Sequence, residues 1–99
     1  DRLEALTLED RATGSTRELP CQGLFAAIGR IPETALLNGQ VTLDPSGYVL
    51  AGETTQTSLP GVYAAGDIRT KPLRQIVTAA ADGATAAHQA AQYLGQGAP

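Results

Sequence analysis

The first twenty residues follow the polar and apolar pattern of a short β-hairpin. Leucines recur through Leu3–Leu8, the polar stretch Asp10–Ser15 contains Gly14, and Thr16–Leu19 resumes an extended pattern. Apolar residues that alternate with polar ones favour strands, and a polar segment with glycine between two such runs is typical of a turn. This part of the chain therefore predicts two antiparallel strands.

Two short apolar runs lie further along the chain. Leu24–Ile28 stops at Gly29, and Val62–Ala65 stops at Gly66 and Asp67. Short, continuous apolar runs of this kind indicate strands that are buried on both faces, as in the sheets of α/β proteins. We expect both runs to be such strands.

Smaller elements separate the two runs. Pro32 is expected to set a turn, followed by a single helical turn over Glu33–Leu37. Val41–Leu43 and Tyr48–Leu50 predict two antiparallel strands, and Asp44–Gly47 supplies the proline and glycine that a tight turn between them needs.

The last third of the chain predicts one long helix. Pro72 suits the first helical position, where its missing N–H costs nothing, and Gly95 suits the end. After Arg74 the segment has no lysine or arginine, and Asp82 is its single charge. A solvated helix usually carries charges along one face, so we expect this helix, from Pro72 to about Leu94, to be packed on two sides. Residues 95–99 are expected to fray.

Composition removes several classes of function. A net charge of −3 and a pI near 4.9 argue against a nucleic-acid-binding domain, which normally presents a basic surface. The sequence has no run of about 18 apolar residues, so no membrane-spanning segment is predicted. Cys21 and His88 are the only cysteine and histidine, which excludes a disulfide or C-x-x-C pair within this chain and argues against a metal site.

Asp67 is the most promising position for ligand chemistry. It follows a predicted strand and precedes the loop into the helix, and ligands of open α/β sheets bind outside the carboxyl ends of strands. Gly66 lets a ligand approach the backbone, and the free N–H groups of the helix start would point to the same place. Taken alone, however, this pattern fits a helix-capping or turn aspartate better than a ligand-binding one.

Longer motifs change that balance. Thr57–Ile68 closely resembles the second FAD fingerprint of the pyridine nucleotide-disulfide oxidoreductases, and Lys71–Ala84 resembles the flavin-facing helix of the thioredoxin reductase branch. Gly23–Gly29, with Pro32 and Thr34, is similar to the stretch where that family's chain crosses from the NADPH domain into the FAD domain. The resemblance covers nearly the whole chain.

The resemblance implies an α/β fold made of part of a two-domain enzyme. Residues 1–22 would be the last hairpin of the NAD(P)H-binding domain. Residues 23–99 would be the C-terminal half of a Rossmann-like, three-layer ββα FAD-binding domain, with a small antiparallel layer and a long terminal helix.

The resemblance also implies roles for five residues. Asp67 would accept a hydrogen bond from a hydroxyl of the FAD ribityl chain, beside Gly66. The helix start at Gln75 and Ile76 would place a backbone N–H near the N1–C2=O edge of the flavin, where negative charge develops on reduction. Arg74 would lie at the flavin or at the domain boundary. The alternative is that Arg74 and Lys71 are solvated cations beside a loop.

By the same resemblance, the complete enzyme would pass electrons from NADPH through FAD to a disulfide, with a thioredoxin-like protein as substrate. It would be a cytoplasmic homodimer without nucleic-acid or membrane partners. No catalytic residue is assigned in this chain, which also lacks the glycine-rich G-x-G-x-x-G phosphate loop. We therefore expect the isolated chain to be inactive, to retain FAD poorly and to need the N-terminal half of the same protein.

Two other functions remain open at this point. A ferredoxin- or flavodoxin-NADP reductase of the same fold would need no redox cysteine pair. A freestanding, non-catalytic binding domain could reuse this half-fold.

Overall fold

The computed structural model describes residues 1–96 of the 99-residue chain. Within that range the regular elements are strand β1 (Ala5–Glu9), strand β2 (Thr16–Pro20) and helix α1 (Ile76–Gly95). Single 3-10 turns form at Ala35–Leu37 and Gly66–Ile68. The α/β class and the long C-terminal helix are as predicted, and so is the helical turn near Glu33–Leu37.

The predicted hairpin is confirmed. Strands β1 and β2 pair antiparallel, with Ala5 opposite Pro20 and Glu9 opposite Thr16. The Asp10 carboxylate accepts the N–H of Ala12 at 2.8 Å, which stabilises the connecting turn from its first residue.

A second hairpin-like turn organises the middle of the chain. The carboxylate Oδ1 of Asp44 accepts the N–H groups of Ser46 and Tyr48, each at 2.9 Å. Gly47 has φ 89°, a left-handed conformation that glycine adopts without strain. The predicted strands on either side pair only through a single antiparallel bridge between Leu43 and Val49.

The apolar core is small and lies beside this turn. Its buried residues have short side chains and are Val41, Val49, Ala51 and Ala64. Leu37, Leu43 and Ile68 are partly buried and pack against them. Burial of so few small side chains provides limited stability, because the hydrophobic contribution follows the apolar area removed from water.

The two predicted buried strands do not form. Leu24–Ile28 is irregular, with Phe25 98% and Ile28 97% exposed. Val62–Ala65 contributes one bridge, from Tyr63 to Gln56. A strand buried on both faces requires neighbouring strands and covering layers, and residues 1–96 provide neither for these runs.

Helix α1 begins later than predicted. Its N-cap is Gln75, three residues after Pro72, and its first helical residue is Ile76. The Thr78 hydroxyl accepts the N–H of Gln75 at 3.1 Å, and this capping contact sets the start. Gly95 belongs to the helix and therefore does not begin the predicted frayed tail. Residues 97–99 of that tail lie outside the described residues.

The expectation that α1 is packed on two sides is wrong for this chain. Asp82 is the buried residue of the helix, whereas Ile76 is 91% and Val77 74% exposed. The chain covers one face and leaves the other without a neighbour. No helix among the described residues is long and apolar enough to cross a membrane.

We predict that the isolated 99-residue chain associates in solution. Phe25, Ile28, Ile31 and Ile76 are each more than nine-tenths exposed, and exposed apolar surface of this kind favours association. Light scattering should give a mass well above 10.2 kDa. A monodisperse monomer with a cooperative thermal transition would contradict the prediction.

Candidate functional site

A glycine–aspartate turn lies at the end of the segment that precedes α1. Ala65 is extended, and Gly66 then turns the chain with φ +83°. A Cβ at Gly66 would lie 3.6 Å from the Cβ of Ala79, an ordinary contact distance. The backbone conformation, rather than lack of space, therefore calls for glycine.

The carboxylate of Asp67 faces solvent. Its nearest cation is Arg30, whose Nη1 lies 3.6 Å from Oδ2, and the two side chains are 56% and 64% exposed. An ion pair this exposed contributes little free energy because water screens it. The Asp67 carboxylate is thus free to accept hydrogen bonds from a ligand hydroxyl.

Behind the turn, Asp82 of α1 forms a buried ionic cluster. Arg69 binds it in a bidentate manner, through Nε and Nη2 at 2.8 Å each. Lys71 Nζ donates to Oδ2 at 2.7 Å, and the backbone N–H of Gly66 donates to the same oxygen at 2.9 Å. The exposed fraction is 7% for the Asp82 side chain and 3% for those of Arg69 and Lys71.

These contacts keep Asp82 ionised. The hydrogen bonds from Arg69, and then those from Lys71 and the Gly66 N–H, hold the pKa of Asp82 well below its usual range, against the opposing effect of burial. Glu53 Oε1 lies 3.3 Å from Arg69 Nη2, with its side chain 90% exposed. Two cations are therefore matched by two carboxylates, only one of which is buried.

This cluster was not predicted from the sequence. The sequence pattern indicated Asp82 only as the single charge of the predicted helix, and it gave Arg69 no role. The usable signal was the isolated acid itself, since an unpaired buried carboxylate is costly and two cations follow Asp67 closely in the sequence.

Arg74 connects the turn to the rest of the structure. Its Nε donates to the carbonyl of Asp67 and its Nη2 to the carbonyl of Arg69, each at 3.0 Å. Its guanidinium carbon lies 3.7 Å from the centroid of the Tyr48 ring, a cation–π contact. Arg74 is therefore partly buried and bound to the loop, and the Lys71 side chain, bound to Asp82, is buried.

Gln75 and Ile76 lie at the start of α1, as the family resemblance implied, although the sequence pattern had placed the first helical residue at Pro72. The first N–H groups of a helix have no intrahelical acceptor, and the helix dipole is positive there. The exposed Ile76 adds apolar surface.

Arg74 and Asp67 line a shallow groove of about 260 Å³ with neighbouring residues that include Arg30, Ile31, Pro32 and Tyr48. The groove combines an apolar wall with two acidic groups, Glu33 and Asp67, and two basic groups.

Residues 2–92 match the family described as pyridine nucleotide-disulphide oxidoreductase. The chain is 44% identical over 93 residues to a thioredoxin reductase of Treponema pallidum, covering 94% of this chain and 30% of that protein. It is 49% identical over 94 residues to a thioredoxin reductase of Streptomyces clavuligerus, covering 94% of this chain and 29% of that protein.

Solved structures give the same similarity. The thioredoxin reductase of Lactococcus lactis superposes with a TM-score of 0.80 at 30% identity, over 94% of this chain and 31% of that one. The enzyme of Streptococcus pyogenes gives 0.77 at 33% identity, over 96% and 31%. The chain thus spans about a third of the length of these relatives.

We predict that Asp82→Ala lowers the unfolding free energy of the full-length protein by about 3–5 kcal/mol, because it leaves the buried cations without their carboxylate. Glu53→Gln, which removes the exposed acid of the cluster, should cost about 1 kcal/mol or less. Denaturant unfolding measures both, and equal effects of the two substitutions would contradict the assignment.

Acid should narrow the stability difference between the wild type and Asp82→Asn. The pKa of Asp82 is lower in the folded state than in the unfolded state, so its ionised carboxylate stabilises the fold at pH values above about 3.9, the ordinary carboxyl pKa. As the pH falls below that value, this stabilisation is lost by up to about 1.4 kcal/mol per pH unit. Unfolding is compared between pH 7 and pH 3 with Glu53→Gln in both proteins, so that Glu53 does not titrate. A gap independent of pH would contradict the prediction.

Proposed function

The chain belongs to the pyridine nucleotide-disulphide oxidoreductase family, and from that membership we propose that it forms the C-terminal part of an enzyme that passes electrons from NADPH through FAD to the disulfide of a thioredoxin-like protein. The relatives named above are thioredoxin reductases, which favours the disulfide branch over a ferredoxin- or flavodoxin-NADP reductase. The chain spans about 30% of those relatives, so the activity is proposed for the complete protein.

The single observation that carries the proposal is the placement of Asp67. Its exposed carboxylate projects from the turn that Gly66 starts, and the helix start at Gln75 and Ile76 follows the same loop. These residues fit the middle of a flavin cofactor: an acceptor for a ribityl hydroxyl, N–H groups for the electron-rich edge of the ring, and an apolar surface for its face.

In this proposal FAD, when bound, supplies the two-electron relay between a nicotinamide and a disulfide. The residues of this chain bind and orient it. Asp67 would hold the ribityl chain, and a backbone N–H of the helix start around Gln75 and Ile76 would stabilise negative charge at the flavin edge. Arg74 fixes the loop between them through its bonds to backbone carbonyls. No residue of the chain is assigned to bond making or breaking.

We further propose that residues 1–22 end the NAD(P)H-binding domain and that residues 23–99 belong to the FAD-binding domain. The hairpin closes with the N–H of Cys21 on the carbonyl of Glu4 at 3.1 Å, and an irregular segment follows. The N-terminal half of the same protein would cover the exposed apolar runs and supply the phosphate loop. A cytoplasmic homodimer is part of the proposal.

The proposal predicts that Asp67→Ala lowers FAD retention by the full-length protein without unfolding it. The lost hydrogen bonds to a charged acceptor are worth about 1.5–3 kcal/mol. FAD content after gel filtration measures the effect, with Glu18→Ala on the exposed strand β2 as the control. The wild-type protein should also reduce thioredoxin with NADPH.

Equal FAD content in Asp67→Ala and wild type would contradict the assignment of Asp67. A flavin-bound wild type that oxidises NADPH with ferredoxin or flavodoxin, and not with thioredoxin, would instead move the protein to the other branch.

A further inference from the structure

The Gly66–Asp67 turn depends on one side chain from another element. Gly66 is buried, so its N–H needs an acceptor within the protein. That acceptor is Oδ2 of Asp82, 16 residues later in the sequence, at 2.9 Å. Two backbone contacts also hold the turn: the N–H of Arg69 donates to the carbonyl of Gly66 at 3.3 Å, and the N–H of Val49 donates to the carbonyl of Ile68 at 2.9 Å.

The same carboxylate also holds the loop after the turn. Arg69 and Lys71 bind Asp82 at 2.7–2.8 Å, as described above. Asp82 is therefore attached to the chain on both sides of Asp67, one residue before it and two and four residues after it. A single group therefore contacts the chain on both sides of Asp67, while Arg74 contacts the carbonyl of Asp67 itself.

Asp82 is itself rigidly connected to the helix start. It lies seven residues after the N-cap Gln75, about 10 Å along a helix that rises 1.5 Å per residue. The distance between the Asp67 carboxylate and the helix start at Gln75 and Ile76 therefore depends on where Asp82 anchors the turn. A flavin that contacts both would require this spacing.

We propose that Asp82 is a positioning residue of the flavin site, which sets the Asp67 carboxylate at a fixed distance from the start of α1 without touching the cofactor. This inference rests on the proposed function. It assigns to the buried cluster a role in cofactor affinity that is separate from its role in stability.

A purely structural cluster would behave differently from a positioning one. Arg74 also holds the loop, through the carbonyls of Asp67 and Arg69. The loop therefore stays attached through Arg74 when Asp82 is altered, but its position relative to α1 is no longer fixed by Asp82. Asp82→Asn keeps the size of the side chain and removes the charge that binds Arg69 and Lys71, so it is the principal variant.

The test is FAD affinity of the full-length apoprotein, followed by flavin fluorescence. Asp82→Asn should raise the dissociation constant about tenfold or more, equivalent to about 1.4 kcal/mol, and should shift the absorbance of the bound flavin. Glu53→Gln should leave both unchanged. Val41→Ala, a core substitution at a residue that does not bind Asp82, should lower the melting temperature and leave the affinity and the spectrum unchanged.

A double-mutant cycle separates action through Asp67 from independent destabilisation. When Asp67 is already alanine, adding Asp82→Asn should change the dissociation constant by less than about twofold, because coupled sites are not additive. Effects that multiply across the two substitutions would overturn the inference, and so would a loss of affinity in Val41→Ala equal to that in Asp82→Asn.

The melting temperature of each apoprotein identifies a variant that fails to fold. If Asp82→Asn is unfolded, Asp82→Glu, which keeps the charge on a longer side chain, takes its place and should fold with weakened FAD binding. Wild-type affinity in a folded Asp82→Glu would overturn the inference. If the wild-type protein binds no FAD, the proposed function itself is refuted. This outcome differs from failure of the Asp82 inference because flavin is then absent from every variant.

Discussion

The structure of the C-terminal region depends on the carboxylate of Asp82. Three donors from different points of one loop meet it: the backbone N–H of Gly66, the guanidinium of Arg69 and the ammonium of Lys71. A carboxylate can be buried only when charge and hydrogen bonds compensate it, and here that requirement also determines where the loop lies on the helix. The turn, the loop and the helix are thus one unit joined by ionic contacts.

Apolar packing contributes comparatively little to this unit. The core consists of two valines and two alanines, while large apolar side chains such as Phe25 and Ile28 are exposed. In most domains of this size the hydrophobic core provides the main driving force for folding. Here the polar contacts hold the local geometry, and the exposed apolar runs are the surface that the proposed remainder of the enzyme would cover.

Elements governed by local sequence were predictable. The β1–β2 hairpin and the turn after Asp44 follow from polar side chains and glycines within a few residues, and the alanine-rich helix follows from composition. The strand predictions for Leu24–Ile28 and Val62–Ala65 failed because strand formation depends on distant partners, and residues 1–96 supply only the bridge between Gln56 and Tyr63. The helix start was misplaced because a threonine cap at Thr78 outweighed the preference of Pro72 for a first turn.

The site shows the same division. The place of Asp67 at the end of an apolar run and before the helix was visible in the sequence. The ionic cluster was not, because Asp82 and Arg69 are 13 residues apart and no periodicity connects a loop cation with a helix acid. Only the fold brings them together.

A crystal structure of the full-length protein with FAD tests the central claim most directly. The account predicts a ribityl hydroxyl within about 3.2 Å of an Asp67 carboxylate oxygen, with the start of α1 at the flavin ring and the contact between Gly66 and Asp82 retained. A flavin whose ribityl chain lies away from Asp67, or a turn that no longer contacts Asp82 when FAD is bound, would contradict it.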